Sequence, residues 1–466
     1  MPAPPSLHTP LPIARSAVEG VVWPAPAGGT QAVMLAALQQ LEQSQYLAPD
    51  ELEARQRLQL SLLLAHAAKL PFYRERLHAA GIDPAKPLGE EHWERLPILS
   101  REEVQAASEA LCWRDVPRQH GEISISRTSG STATGLVVHR TALALFFWNV
   151  FAVREAAWHG LKLSGKLAAI RMDWTRPAES TGLYFARHDN WGPPFAALYP
   201  TGPSAVLDVR HCTIAEQAEW LREEAPNHLV GFGVSLGALA RHCLAYDISV
   251  PSISSVYSQG EVLSDEARAA CREAWGVEVI DNYSTVEAGH LAFQCPEHPH
   301  LHVQSESARI EILDAQGRAC RPGEVGRVIV TPLHNFAMPL LRYDVGDLAE
   351  VGEACGCGRT LPVIKRVLGR TRDMLKMPGG ELRFPFYGSK AFADYPVIVH
   401  HQLAQTSADA IEVRLVAKRA LSAEEEDRLR ASLIQALGHP FRITFSYCAA
   451  IERSASGKYE EFRCEM

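Results

Sequence analysis

Apolar residues recur at helical spacing from Gln31 to Ala80, where Leu58, Leu60, Leu62, Leu63, Leu64 and Ala67 make a broad apolar face and Pro71-Phe72-Tyr73 ends the run. Ahead of it, Pro2, Pro4, Pro5, Pro10, Pro12, Pro24 and Pro26, with Gly28 and Gly29, break any helix or ladder, so residues 1–30 read as a loosely ordered arm. The longest apolar stretch, Ala142 to Val153, contains Asn149 and is followed by Arg154 and Glu155. It falls short of the ~20 residues that cross a bilayer and predicts a buried helix. Between about 166 and 287, short apolar runs (167–172, 204–209, 228–234, 277–283) alternate with helical stretches (215–225, 264–276). That rhythm predicts a largely parallel sheet with helices on both faces and ligands at the carboxyl ends of its strands. From about 303 the texture changes to alternating strands, 308–320 and 325–331, joined by Gly and Asp turns, which predicts an antiparallel or barrel-like unit. In the last 90 or so residues, Ile411, Val413 and Leu415 alternate as a half-buried strand. Ser422 with Glu425 forms a capping box opening a helix that buries Leu429, Leu433 and Leu437, and 442–447 alternates again. This is a compact α+β lobe.

Composition narrows the function classes. With 47% hydrophobic residues in 466, the chain buries full cores and is not a disordered protein. Its formal charge is −8 without long runs of one sign, so it lacks the basic stripe that a nucleic-acid partner requires. The start has no basic n-region leading into an apolar h-region, and a cytoplasmic protein is expected, with no membrane partner. Ten cysteines are too few for a disulfide scaffold.

Five segments carry candidate chemistry. Residues 126–138, SRTSGSTATGLVV, combine Gly130 and Gly135 with the hydroxyls of Thr128, Ser129, Ser131, Thr132 and Thr134, a pattern suited to a polyphosphate and equally to a solvated Ser/Thr loop. In the run Asp281 to Glu287, Tyr283 can stack on a base, and Glu287 can hold Mg²⁺ because hard cations take oxygen ligands. The alternative is a strand end with a surface Glu. Asp347, after a glycine turn at Gly346, can accept both hydroxyls of a ribose, although Asp and Gly are also ordinary β-turn residues. Gly369-Arg370-Thr371-Arg372-Asp373 joins the large and small units, and Arg453 to Lys458 is a loop tipped by a lysine.

In this order and spacing the five segments resemble the adenylate-forming superfamily of acyl-CoA synthetases, amino-acid-adenylating domains and luciferases, from about Leu58 to Lys458. Within it the chain is most like the phenylacetate-CoA ligase branch and its CapK-like relatives. Pro71-Phe72-Tyr73-Arg74-Glu75-Arg76-Leu77, Gln259-Gly260-Glu261 and the Cys355 to Thr360 run carry that likeness. The resemblance implies an α/β fold: a large N-terminal domain of mostly parallel α/β sheets plus an antiparallel barrel-like unit (31–372), and a small mobile α+β C-terminal domain (373–466). It implies that Thr128 to Gly135 wraps the ATP phosphates, and that Gln259, Gly260, Glu261, Asn282 and Tyr283, with Ser284 beside them, form the adenine wall. Asp347 holds the ribose with Arg370 alongside, Arg372 or Asp373 is the hinge, Glu287 binds Mg²⁺, and Lys458 is the catalytic lysine of adenylation. Three departures stand out. Ala133 lengthens the phosphate loop, no Lys follows Gly135, and Val286 replaces the usual Thr. The loop Met377 to Pro385, which helps form the thiol-acceptor channel in the family, matches it only loosely.

Cys355 and Cys357 flank one glycine, and Cys295 precedes His298, His300 and His302. Thiolates and imidazole at such spacing suit a closed tetrahedral zinc site, against a bland reading of free thiols and surface histidines. The branch's pattern of Cys and then Leu-His before a strand selects Cys295, His302, Cys355 and Cys357, with His298 as substitute. The expected activity is ATP-dependent ligation of a small, aromatic or compact apolar, carboxylic acid to coenzyme A through an acyl-AMP. The aromatic-rich helix after the phosphate loop (Phe146, Phe147, Trp148, Phe151) is a candidate pocket wall, although core packing is the commoner fate of such residues. An amine or a carrier-protein thiol as acceptor is the alternative, and a non-catalytic nucleotide-binding scaffold is the third reading. Many members of the superfamily are homodimers, so self-association stays open.

Overall fold

Three helices, Gly29–Ser44, Pro49–Ala67 and Pro71–Ala79, replace the single run expected between Gln31 and Ala80. Pro49 and Pro71 stand in the first turns of the second and third, where a missing N–H leaves no bond unmade. Pro71 therefore opens a helix instead of ending one. Only part of the expected apolar face is covered. Leu60, Leu63, Leu64 and Ala67 are buried, whereas Leu58 and Leu62 are 68% and 56% exposed.

The computed structural model describes residues 13–86, 88–107, 109–127, 136–173, 182–209, 212–370, 375–379, 382–383, 392, 394–395, 397–452 and 462–466. The chain gathers into two compact units. The first comprises Met1–Ser164, Asn190–Thr201 and Asn282–Val367, and the second Gly165–Asp189, Gly202–Asp281 and Leu368–Met466.

A seven-stranded sheet organises the first unit, in the order Ala308–Leu313, Val325–Pro332, Tyr343–Val351, Val363–Arg370, Leu301–Val303, Gly289–Gln294, Asn282–Thr285. The pairings along it are antiparallel wherever the register is defined, as the alternating pattern after residue 303 predicts. Its core joins Tyr283, Leu291, Ala292, Val328, Val330 and Ile364. A second cluster in this unit packs Leu60, Leu63, Tyr73 and Leu77 with Trp93, Leu99, Leu341 and Tyr343. The hairpin Ile123–Arg127 and Val137–Thr141 leads into the Ala142–Trp158 helix, which is buried only from Val150 onward and whose first turn is closed by the Thr141 hydroxyl accepting from the Ala144 N–H. Among the described residues no helix is long and apolar enough to cross a membrane.

Arg342 ties these layers together. Its φ of +50° places a non-glycine residue in the left-handed region. Its buried guanidinium donates to both Glu311 carboxylate oxygens, at 3.2 and 2.8 Å, and to the carbonyls of Glu94 and Leu96, each at 2.7 Å. Beside it, the Leu99 N–H donates to the Arg342 carbonyl and the Asp344 N–H to the Leu99 carbonyl.

The second unit holds the parallel sheet, ordered Phe185–His188, Ser204–Asp208, Leu167–Arg171, His228–Phe232, Ser255–Gln259, Val279–Ile280. Every pair is parallel except the first. A four-stranded sheet of Arg442–Tyr447, Ala410–Ala417, Ile398–Ser407 and Phe462–Cys464 belongs to the same unit, with the Ala423–Leu437 helix. The Ser422–Glu425 capping box opens that helix, and Leu429, Leu433 and Leu437 are buried, as their spacing predicts.

Replacing Arg342 by Ala leaves the largely buried Glu311 carboxylate without its guanidinium partner. It should lower stability by about 3 kcal/mol, with Arg342→Lys recovering part by keeping the charge without the fork. Equilibrium urea unfolding followed by tryptophan fluorescence checks this, and wild-type stability in Arg342→Ala would show that the pair contributes nothing.

Candidate functional site

Tyr283 and Asp347 lie in the first and sixth strands, in chain order, of the seven-stranded sheet and meet in the first unit. The Tyr283 hydroxyl donates to Asp347 Oδ2 at 2.7 Å, and both side chains are buried. Asp347 is not carried by a β-turn, as its glycine neighbour suggests. Gly346, at φ +78°, lies inside the continuous Tyr343–Val351 strand. Asp344 faces Ile329 and Leu348 faces Arg327, so the strand bulges between them. Bulges re-aim side chains, and Asp347 sits within this one. Arg327 pairs with Asp344 at 2.9 Å on the same stretch.

Asn282, adjacent to Tyr283, donates through Nδ2 to Glu155 Oε1 at 3.1 Å, while its buried Oδ1 has no hydrogen-bond partner among the described residues. Ser284 follows in the same Asn282–Thr285 strand. The strand ends in a turn closed by the Ala288 N–H donating to Thr285 Oγ1, and Glu287 rides on that turn. Its carboxylate lies 3.4 Å from Arg101 Nη1. Arg140, buried on the Val137–Thr141 strand, also interacts with the Glu287 charge, which opposes the burial that lowers its pKa. The Glu287 carboxylate is thus influenced by two guanidiniums, Arg101 and Arg140.

In the second unit, Gln259 ends the Ser255–Gln259 strand, Gly260 follows at φ +69°, and Glu261 Oε2 accepts from the Val234 N–H at 3.0 Å, fixing the start of the Gly233–Ala245 helix. Asp281 pairs with Arg268 at 3.3 Å. Thr128, Ser129, Gly130, Ser131, Thr132, Thr134, Gly135, Arg372, Asp373 and Lys458 lie outside the described residues, as does the Arg370 side chain.

Cys295 just after the Gly289–Gln294 strand, His302 in the Leu301–Val303 strand, and Cys355 and Cys357 in the connection before Val363–Arg370 are brought together, with their ligand atoms all within 4.8 Å of one another. Cys295 Sγ and Cys355 Sγ are 3.8 Å apart, and Cys357 Sγ and His302 Nε2 are 3.3 Å apart. A tetrahedral zinc with bonds of ~2.3 Å to sulfur and ~2.0 Å to nitrogen sets edges of about 3.8 and about 3.5 Å, so the donor set fits that ion. His302 Nδ1 is 3.3 Å from the Leu361 carbonyl, which orients Nε2 toward the sulfurs. Burial lowers the His302 pKa to about 4, keeping the ring neutral as a ligand must be. The backbone N–H groups of Glu297 and Cys357 point at Cys295 Sγ and Cys355 Sγ. His298 stacks on His300 and is not among the four.

Sequence reasoning missed Arg101, Arg140, Glu155 and His290. Arg101 directly follows Ser100, the N-cap of a capping box with Glu103. That box is legible as a helix start, but its partner Glu287 lies 186 positions away.

Comparison with known proteins gives a consistent picture. A model of the CapK C-terminal domain matches residues 387–462. The chain is 27% identical over 361 residues to the phenylacetate-coenzyme A ligase of Thermus thermophilus, covering 76% of this chain and 77% of that enzyme. With its Escherichia coli counterpart it shares 23% over 338 residues, 71% and 74% of the two chains. In fold it is similar to a 2-hydroxyisobutyryl-CoA ligase crystallised in the postadenylation state in complex with 2-HIB-AMP, with a TM-score of 0.71 at 17% identity over 91% of this chain and 92% of the other.

Removing the Tyr283 hydroxyl deletes one bond to a buried carboxylate. Tyr283→Phe should destabilise the first unit by roughly 2 kcal/mol, read as a lowered thermal midpoint. An unchanged midpoint would mean that Asp347 is satisfied without it.

Proposed function

We propose, for a chain that belongs to the adenylate-forming superfamily, that it is an AMP-forming acid–thiol ligase. It adenylates a small carboxylic acid with loss of pyrophosphate and passes the acyl group to coenzyme A. The observation that carries the reading is the buried Tyr283–Asp347 pair. It supplies a fixed flat ring for a base and a carboxylate for ribose hydroxyls. The length over which the chain matches two phenylacetate-coenzyme A ligases supports the choice of thiol ligation.

Charge is the central difficulty of the first half-reaction, because a carboxylate attacks a phosphate and both are anions. The phosphates are assigned to residues 128–135, and Glu287 would hold Mg²⁺, which would supply positive charge beside them. Arg101 and Arg140 remain on the protein side as cations beside the Glu287 carboxylate. Lys458 is assigned to the developing charge between the acid and the α-phosphate. Arg372 or Asp373 is assigned as the hinge about which residues 373–466 turn between half-reactions. The CapK C-terminal match within that span supports a distinct module there.

Zinc belongs to the same proposal as a closed structural site. Cys295, His302, Cys355 and Cys357 would hold it with no position left open, so it pins loops and leaves phosphate chemistry to Mg²⁺.

Acid-dependent pyrophosphate release from Mg²⁺-ATP is the test, run over aryl, heteroaryl and short aliphatic acids without acceptor, with coenzyme A and with mixed amines. Acceleration by coenzyme A is expected. Acceleration by amines alone would replace the thiol by a nitrogen acceptor, and ATP binding with no turnover of any acid would favour a scaffold. Lys458→Ala should lose about 100-fold or more in kcat while ATP affinity changes little; undiminished turnover would remove Lys458 from catalysis. Metal analysis of purified protein should find about one zinc per chain in the wild type and much less in Cys355→Ser. Equal zinc in both would take Cys355 out of the ligand set.

A further inference from the structure

We infer that the acid taken by this chain carries a hydroxyl or amino group, and that His290 pairs with it; the inference rests on the ligase reading above. His290 stands three residues beyond Glu287, and the strand register sets it opposite Ser284, next to Tyr283. The ladder is broken by a bulge between His290 and Ala292, an irregularity that turns side chains and that gathers beside active sites. The imidazole is 7% exposed and lies near two aromatic rings, Trp148 with centroids 4.9 Å apart and Phe293 at 5.1 Å.

Neither Nδ1 nor Nε2 of this ring has a hydrogen-bond partner among the described residues. Buried polar atoms without partners are rare in folded proteins, and two on one ring call for a cause. Packing does not provide it, because a phenylalanine would meet Trp148 and Phe293 equally well with nothing left unpaired. Burial lowers the His290 pKa to about 4, so the ring is neutral and offers one donor and one acceptor.

Trp148 has a second neighbour of the same kind. The guanidinium carbon of Arg140 lies 5.1 Å from its ring, and Arg140 Nη2 is buried with no partner among the described residues. Trp148 thus offers an apolar surface with two unsatisfied groups beside it, both close along the chain to the elements assigned to nucleotide and metal. Hydroxyl and amino groups both donate and accept, so either can satisfy His290 in one orientation or the other. A hydrocarbon body alone would leave the ring unpaired in the complex, and sites built to hydrogen-bond a substrate group discriminate against analogues that lack it.

Matched pairs of acids test this on the full-length enzyme with Mg²⁺-ATP: benzoate against hydroxy- and aminobenzoates, phenylacetate against hydroxyphenylacetates, and butyrate against hydroxybutyrates. Pyrophosphate release gives kcat/KM, and calorimetry on enzyme saturated with AMP gives acid affinity. At least one substituted acid should exceed its parent by about 10-fold or more. His290→Phe should abolish that ratio by slowing the substituted acid, with the parent within about threefold of its wild-type rate, and His290→Asn should keep part of it. Should His290→Phe fail to fold, the wild-type ratios and His290→Asn decide. Equal values within every pair, or a wild-type ratio in the folded His290 variants, would overturn the inference and leave the ligase reading standing. Discrimination in affinity without turnover would support the pairing and count against the ligase reading alone. No binding and no turnover in any pair would overturn both.

Discussion

A guanidinium withdrawn from water must be met by acceptors on every side, and Arg342 meets them in Glu311 and in the carbonyls of Glu94 and Leu96. Its pairing joins the helix Glu90–Arg95 to the antiparallel sheet and fixes where the Tyr343–Val351 strand begins. The bulge at Gly346 falls a few residues later, and with it the direction of Asp347. Asp347 holds Tyr283, and Tyr283 belongs to the strand that turns at Glu287 and returns through His290. Much of the candidate site in this unit thus descends from one buried charge. The pairing is weak evidence for stability in itself, because desolvating both partners costs much of what their attraction returns. What it contributes here is a single register.

The turn at Glu287 is held by electrostatics of the same kind. Arg101 and Arg140 come from a short capped helix and from the Ile123–Arg127 and Val137–Thr141 strand pair, and neither lies near Glu287 in sequence. In a low-dielectric setting two cations beside one carboxylate interact with it more strongly than they would in water.

At the other end of the same strands, Cys295 and His302 flank the short connection from Gly289–Gln294 to Leu301–Val303, while Cys355 and Cys357 lie in the connection from Tyr343–Val351 to Val363–Arg370. A metal there would cross-link two connections of one sheet, and the strand that carries His290 is one of those it would anchor. Arg359 reinforces the arrangement, its guanidinium stacked 4.6 Å over Trp158 and donating to Gln45 Oε1 at 3.0 Å.

Periodicity and local chemistry were enough to read the strand alternation after residue 303, the βαβ rhythm before it, the helix at Ala142 and the Ser422–Glu425 cap, because each depends on neighbours within a few residues. The paired cysteines were visible as spacing, whereas the choice of His302 over His298 came from family resemblance. Other features were decided only by the fold. Pro71 reads equally as a stop or a start, since proline is excluded from helix interiors but welcome in the first turn. Leu58 and Leu62 share helical spacing with buried neighbours, and only the packed partner determines which flank of a broad apolar face is covered. The bulge that aims Asp347, the Arg101 contact to Glu287 and the unsatisfied ring of His290 involve partners far away in the chain. Local sequence determines which secondary elements can form. Which distant side chains meet, and which buried polar atoms are left without partners, is settled when those elements pack.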